Sequence, residues 1–189
     1  MKNMILTLLC VTLFASASVG VVYKVTLTPI AEAKAAKLTA AIAQVLPEFD
    51  NNIEESRQTE TVDGSQVTIY TATKGGEPVG YAVETFSNNG FAGTIKLMVG
   101  FLTDGTINRV ETLEQNETPG LGDKIERKKS GFSVQFDGKN PASFKLAVKK
   151  DGGDVDAITA STISSRAFSD AVDRAYKIFL TKKEGVNND

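Results

Sequence analysis

The sequence predicts an α+β protein, in which an N-terminal transmembrane helix precedes one domain with a mainly antiparallel sheet and flanking helices. Three observations lead there. An uncharged run of 21 residues, NMILTLLCVTLFASASVGVVY, lies between Lys2 and Lys24 and is long enough to cross a hydrocarbon core as a helix. The middle of the chain holds segments that alternate apolar and polar residues, separated by turn residues. The last long segment carries its apolar residues at helical spacing.

The first run defines an anchor over residues 1–27. Its "ASASVG" would suit a cleaved signal peptide, but the apolar residues continue through Val19, Val21, Val22 and Tyr23, which favours an uncleaved helix. Lys2 and the terminal amine favour a cytoplasmic N-terminus, although Lys24 stands on the other flank. The remainder of the chain then works outside the cytoplasm. Residues 28–60 read as a helical connector. Within it "TPIAEAKAAKLTAAIAQVL" has Pro29 suited to a helix start and Pro47 to its end, and "PEFDNNIEESRQTE" is polar.

The domain follows over residues 61–189. "QVTIYTAT", "VGYAVETF" and "TIKLMVGFL" alternate as strands of a meander, and "TINRVETL" is a fourth. Gly75-Gly76, Asn89-Gly90 and Asp104-Gly105 stand at the connections, where positive φ is useful. "FSVQF" and "FKLAV" alternate again. A closing helix spans about Ile163 to Thr181, its stripe formed by Ile163, Ala167, Phe168, Ala171, Val172, Ala175, Ile178 and Phe179.

Composition removes several kinds of chemistry. With 21 basic and 23 acidic residues the net charge is −2, which gives no basic face for nucleic acid. Histidine is absent, so Ser-His-Asp catalysis, histidine metal sites and histidine proton shuttles are excluded. The single cysteine, Cys10, lies in the apolar run, so neither an intrachain disulfide nor a thiolate metal cluster can form. No catalytic residue and no metal site is expected. Redox chemistry would have to come from a cofactor.

Two stretches could hold one. "DAITASTISSRAF", residues 156–168, places Thr159, Ser161, Thr162, Ser164 and Ser165 before and into the last helix, with Ser169 just beyond. A helix start presents unpaired N–H groups and a positive dipole end, which suit either a capping hydroxyl or a phosphate. The Glu or Gln of a capping box is missing, and Ser164 and Ser165 stand in its place. In "NETPGLGDKI", residues 116–125, Pro119 fixes φ while Gly120 and Gly122 allow close approach to a ligand. The spacing fails as a dinucleotide fingerprint, and taken alone the stretch reads first as a surface turn leading into a helix at Asp123. Among the carboxylates of this region only Glu117 falls in a candidate site.

Taken together, the N-terminal anchor, "GYAVETFSNNGFAGTIKLMVGF", "ETPGLGDKI" and "DAITASTISSRAF" resemble the FMN-binding domain of the G subunit of the Rnf electron-transport complex. The same domain occurs in the C subunit of the sodium-pumping NADH:quinone oxidoreductase. In that family a flavin transferase joins FMN by a phosphoester to a Ser or Thr in a pattern like D-x-x-[ST]-G-A-[ST]-x-[ST]. Asp156, Thr159, Ala160, Ser161, Thr162 and Ser164 take those places, so the resemblance makes Thr162 the acceptor of covalent FMN. Ala160 stands where glycine is usual and Ser161 where alanine is usual. A glycine that needs positive φ would make Ala160 a strained residue. The resemblance also assigns Glu117, Thr118, Gly120, Leu121 and Gly122 to the flavin.

The resemblance implies an electron-carrier subunit with no turnover of its own, in a complex coupling ferredoxin and NAD oxidoreduction to Na⁺ or H⁺ movement. Its partners would be the other membrane subunits and the transferase. It would sit in a bacterial inner membrane as a single-pass protein, its domain on the periplasmic side. The quinone-reductase subunit and a flavin-free, membrane-anchored assembly module are the alternatives. The short stretch before the strands favours the Rnf-like reading.

Overall fold

The structure, a computed structural model, describes residues 2–62 and 65–186. The chain separates into two units, residues 1–39 and 40–189. The first consists of helix α1, Lys2–Val45, whose last turns belong to the second unit. Over residues 2–39 nearly every side chain of α1 is exposed. The helix is long and apolar enough to cross a membrane.

One expectation is corrected here. Pro29 does not open a second helix, because α1 continues through it. Proline removes one backbone hydrogen bond and crowds the preceding turn. The apolar run before it and the alanine-rich run after it both favour helix strongly enough to bridge that gap.

The second unit is built on an antiparallel sheet in the order β1-β2-β3-β4-β5, with β1 Gln58–Val62, β2 Ser65–Lys74, β3 Glu77–Gly90, β4 Gly93–Leu102 and β5 Ile107–Glu114. Every neighbour is also the next strand in sequence, so short hairpins suffice. β1 takes part of what reads as polar connector. An edge strand pairs on one side only, and "QTETV" carries no apolar face to announce it.

Helix α2, Thr162–Val186, lies across one face of this sheet. Ala167, Phe168, Ala171, Val172, Ala175 and Phe179 are buried against Val83, Leu97, Val99 and Phe101. The stacked Phe101 and Phe179 rings have centroids 5.1 Å apart, and the Thr85 hydroxyl donates to the Ala171 carbonyl at 3.0 Å. Burying each large apolar side chain contributes about 1.5–3 kcal/mol, which makes this seam the main stabilising contact of the domain. Ile163 leaves the expected stripe: in the first turn of α2 it is 47 % exposed.

The region between β5 and α2 holds no strand among the described residues. "FSVQF" is a 3-10 turn, Phe132–Phe136. A strand would turn Phe132, Val134 and Phe136 to one face; instead Phe132 and Phe136 pack around Phe168 while Val134 is exposed. "FKLAV" is irregular and contributes a single parallel bridge, Val148 to Val155. The edge of β5 that these segments would have extended is already met by the loop backbone, with Ile107 N–H on Lys139 O and Gly138 N–H on Ile107 O, both 2.8 Å.

The end of α1 presses against β4. A Cβ placed on Gly100 would collide with the Val45 carbonyl oxygen. Asn108 Nδ2 donates to that same oxygen at 2.7 Å, satisfying a carbonyl the helix end leaves open. Gly100→Ala must push the helix end away, and is expected to lower stability by about 1–3 kcal/mol, read as a drop in urea midpoint.

Candidate functional site

Three separate segments meet at one end of the seam. The first is the tip of the β3–β4 hairpin, Gly90–Gly93. The expected positive φ falls on Gly93, at 113°, and not on Gly90. Gly90 is required for another reason: a Cβ there would collide with the Gly93 carbonyl oxygen and lie 2.8 Å from Glu117 Oε1. The tip projects Phe91, which is 68 % exposed.

The second segment is the loop 116–122, which leads into a 3-10 turn, Gly122–Ile125, where the sequence reads as a helix start. Gly120 supplies φ 77° at the bend. The turn is held by Asp123, whose carboxyl the hydrogen bond from Lys129 keeps below the usual carboxylate range, aided by the Lys129 charge. The pair's contribution to stability is therefore present above that range and is lost as pH falls through the lowered pKa.

The third is the start of α2, and here the hydroxyls separate into distinct tasks. Ser165 Oγ donates to Ser161 O at 2.9 Å and accepts from Ile158 N–H at 3.0 Å, closing the turn before the helix. Ser164 Oγ donates to Glu117 Oε2 at 2.5 Å. Ser169 is buried farther along α2. Among the described residues the Thr162 hydroxyl makes no hydrogen bond within the chain, and Thr162 is only partly buried. Ser161 is buried, and its hydroxyl bonds no N–H of the helix's first turn among the described residues. Side-chain capping does not account for these two residues.

Between the three segments lies an open cleft of about 340 Å³. The hairpin contributes Phe91, and the loop contributes Glu117, Thr118, Leu121 and Gly122. The helix start contributes residues 160–164. Its rim is apolar: Phe91, Leu121 and Ile163 are the exposed large apolar side chains there. The same lining holds Thr162, beside the open N–H groups of the first turn of α2. Such a pairing of apolar walls with a hydroxyl and a helix N-terminus suits an aromatic ligand carrying an anionic group.

Eight of the eleven residues singled out in the sequence line this cleft: Glu117, Thr118, Leu121, Gly122, Ala160, Ser161, Thr162 and Ser164. The other three stand apart from its lining. Asp156 is exposed and pairs with Lys149 at 2.7 Å, while its backbone is clasped by Gln135. Thr159 is exposed on the preceding turn, and Gly120 sits at the loop bend. Two lining residues, Phe91 and Ile163, lie outside that set. A phenylalanine flanked by glycine and alanine at a hairpin tip has no core to enter, which is the readable signal for Phe91.

Ala160 has φ 61°, the only positive value among the described non-glycine residues. The left-handed region costs an L-residue roughly 1–2 kcal/mol, partly offset because glycine loses more freedom on folding. Ala160→Gly is expected to raise stability by about 0.5–1 kcal/mol, read as a higher denaturation midpoint with unchanged slope.

A family profile described as "FMN-binding domain" matches residues 90–177, a span that begins at the hairpin tip and contains all three segments of the cleft. The chain is 36 % identical over 182 residues to the G subunit of the ion-translocating oxidoreductase complex of Shewanella amazonensis, covering 91 % of this chain and 84 % of that protein. The protein of the same name from Salmonella typhi is 39 % identical over 176 residues, covering 86 % and 84 %. That from Shewanella piezotolerans is 34 % identical over 196 residues, covering 97 % and 92 %. Similarity of this extent runs through anchor helix, sheet and cleft alike, and the chain belongs to the family of G subunits of ion-translocating oxidoreductase complexes.

Proposed function

We propose that this chain is an electron-carrier subunit whose FMN is joined by a phosphoester to Thr162. The observation that carries this reading is the Thr162 hydroxyl, without a hydrogen-bond partner among the described residues, in the lining of a cleft that also exposes Phe91, Leu121 and Ile163. FMN supplies reversible electron transfer when bound, chemistry that no side chain of this protein offers. The fit of residues to group is specific at three places. The open N–H groups of α2 suit the phosphate. Phe91, Leu121 and Ile163 offer apolar surface to the ring system. Thr118, Leu121 and Gly122 would hold the ring from the loop side.

Attachment asks little of this chain. Thr162 Oγ would give up its proton and attack the flavin-side phosphorus of a flavin dinucleotide donor. The Oγ–P bond would form as the pyrophosphate P–O bond breaks and a nucleoside monophosphate leaves, with a separate flavin transferase supplying the base and metal for that step. The chain contains no histidine to serve as the base, and both Glu117 oxygens already accept hydrogen bonds. The tether suits a domain held outside the cytoplasm by α1, where a dissociated cofactor would be lost. In the assembled complex the neighbouring membrane subunits donate and accept the electrons, and coupling of ferredoxin and NAD oxidoreduction to Na⁺ or H⁺ movement belongs to the complex as a whole.

Co-expression with a matching transferase is expected to give a band that keeps flavin fluorescence on a denaturing gel. Thr162→Ala is expected to lose that fluorescence while the domain stays folded. A folded Thr162→Ala protein that remains fluorescent would move the bond, with Ser161 the neighbouring hydroxyl, and an unlabelled wild-type protein would contradict the electron-carrier reading.

A further inference from the structure

Glu117 is the one carboxylate that lines the cleft among the described residues, yet it is 4 % exposed and both its oxygens are engaged inside the protein. Oε1 accepts from Ala92 N–H at 2.9 Å, and Oε2 accepts from Ser164 Oγ at 2.5 Å. Its own N–H is fixed by Gln115 Oε1 at 2.6 Å, and Gln115 is in turn tied to Glu126 at 2.7 Å. The two partners belong to different walls. Ala92 follows Phe91 at the hairpin tip, and Ser164 lies two residues beyond Thr162 in the first turn of α2.

Two glycines are shaped to this carboxylate. A Cβ on Gly90 would stand 2.8 Å from Oε1, and one on Gly122 would stand 2.6 Å from Oε2 and 2.5 Å from the Ser164 oxygen. Hairpin, loop and helix thus close on one side chain, each giving up side-chain volume or a hydrogen-bond donor to it. A buried group with two donors directed at it is costly to remove, because each donor left unpaired loses about 1–3 kcal/mol.

We propose that Glu117 is a positioning residue: its carboxylate ties the hairpin tip that carries Phe91 to the helix start that carries Thr162, and so sets the span between the apolar wall and the attachment point. With both oxygens engaged by Ala92 and Ser164, the carboxylate would act on a bound flavin through the width of the cleft. The effect on flavin rests on the attachment at Thr162 proposed above, whereas the tie itself is a property of the protein without cofactor.

The chemistry of the tie separates it from a role for charge. In Glu117→Gln the amide oxygen still accepts from Ala92 N–H, and the amide N–H donates to Ser164 Oγ, whose hydroxyl turns to accept. In Glu117→Ala both donors lose their partner. Ser164→Ala cuts the helix arm alone.

The test is hydrogen–deuterium exchange on the full chain in detergent, expressed without transferase, following peptides over residues 88–94 and 160–166. Glu117→Ala is expected to speed exchange about tenfold in both peptides together, with β4 and the middle of α2 unchanged. Glu117→Gln is expected to exchange as the wild type does. Ser164→Ala is expected to loosen the helix peptide and leave the hairpin peptide protected. That variant also decides the matter should Glu117→Ala lose the whole fold. Unchanged exchange in Glu117→Ala, loosening of one segment only, or a Gln variant as loose as Ala would overturn the proposal.

Repeating the series with transferase gives a second reading. Glu117→Ala is expected to reduce covalent label and the visible circular dichroism of the attached flavin, with Glu117→Gln restoring both. A labelled Glu117→Ala protein with the wild-type flavin spectrum would also overturn it. A wild-type protein that takes no label, alongside a Glu117→Ala protein with both peptides loosened, would remove the flavin reading and leave the tie standing.

Discussion

The seam between α2 and the central strands fixes where everything else in the domain can stand. Phe168 and Phe179 bury their rings against the sheet and the 132–136 turn, and the Thr85 hydroxyl bonds the helix backbone at Ala171. These contacts lock both the rotation and the position of α2 along β3 and β4. The helix start therefore projects at a determined place beside the hairpin tip. Thr162 owes its position to packing that begins one turn later.

At that end of the seam the rules of the core are relaxed. Ala160 occupies a left-handed conformation, and Phe91, Leu121 and Ile163 leave apolar surface exposed. A buried carboxylate stands where an apolar side chain would have packed. Each departure costs stability, and each gives the cleft a feature a packed core would lack: a sharp entry to the helix, apolar walls, and a fixed distance between them. Departures of this kind concentrate where a protein binds something.

Much of this is legible in the sequence, for reasons that differ by element. The strands β2–β5 show their apolar alternation because Val67, Ile69, Val83, Leu97, Val99 and Phe101 share the face that α2 covers, although the middle of β4 is buried on both faces. Helix α2 shows its stripe because it packs there. The β1 strand is hidden because an exposed edge strand needs no apolar alternation. "FSVQF" misleads because Phe132 and Phe136 meet the core equally well from a short helical turn, where both pack around Phe168 and leave Val134 exposed. α1 reads as two helices because Pro29 is a helix-start residue when its neighbours are neutral, and here they are not.

The cleft is legible in part. Hydroxyls before a helix and glycines beside a proline point to ligand contact at either end of the loop, but their meeting is a product of the hairpin, which no local pattern reveals. Glu117 stands out in the sequence only as a carboxylate near glycines. That it faces inward, between Ala92 and Ser164, follows from three segments distant in the chain. Ala160 shows the opposite case, since its departure from glycine poses the question that its φ of 61° answers.

The most direct measurement is peptide-level mass spectrometry of the protein co-expressed with its transferase. The account predicts one added FMN phosphoryl group per chain, in the peptide that contains residues 156–166, with fragmentation placing it on Thr162. Full loading with the group located on any residue outside the helix start, or a fully active complex whose subunit carries no added mass, would contradict it.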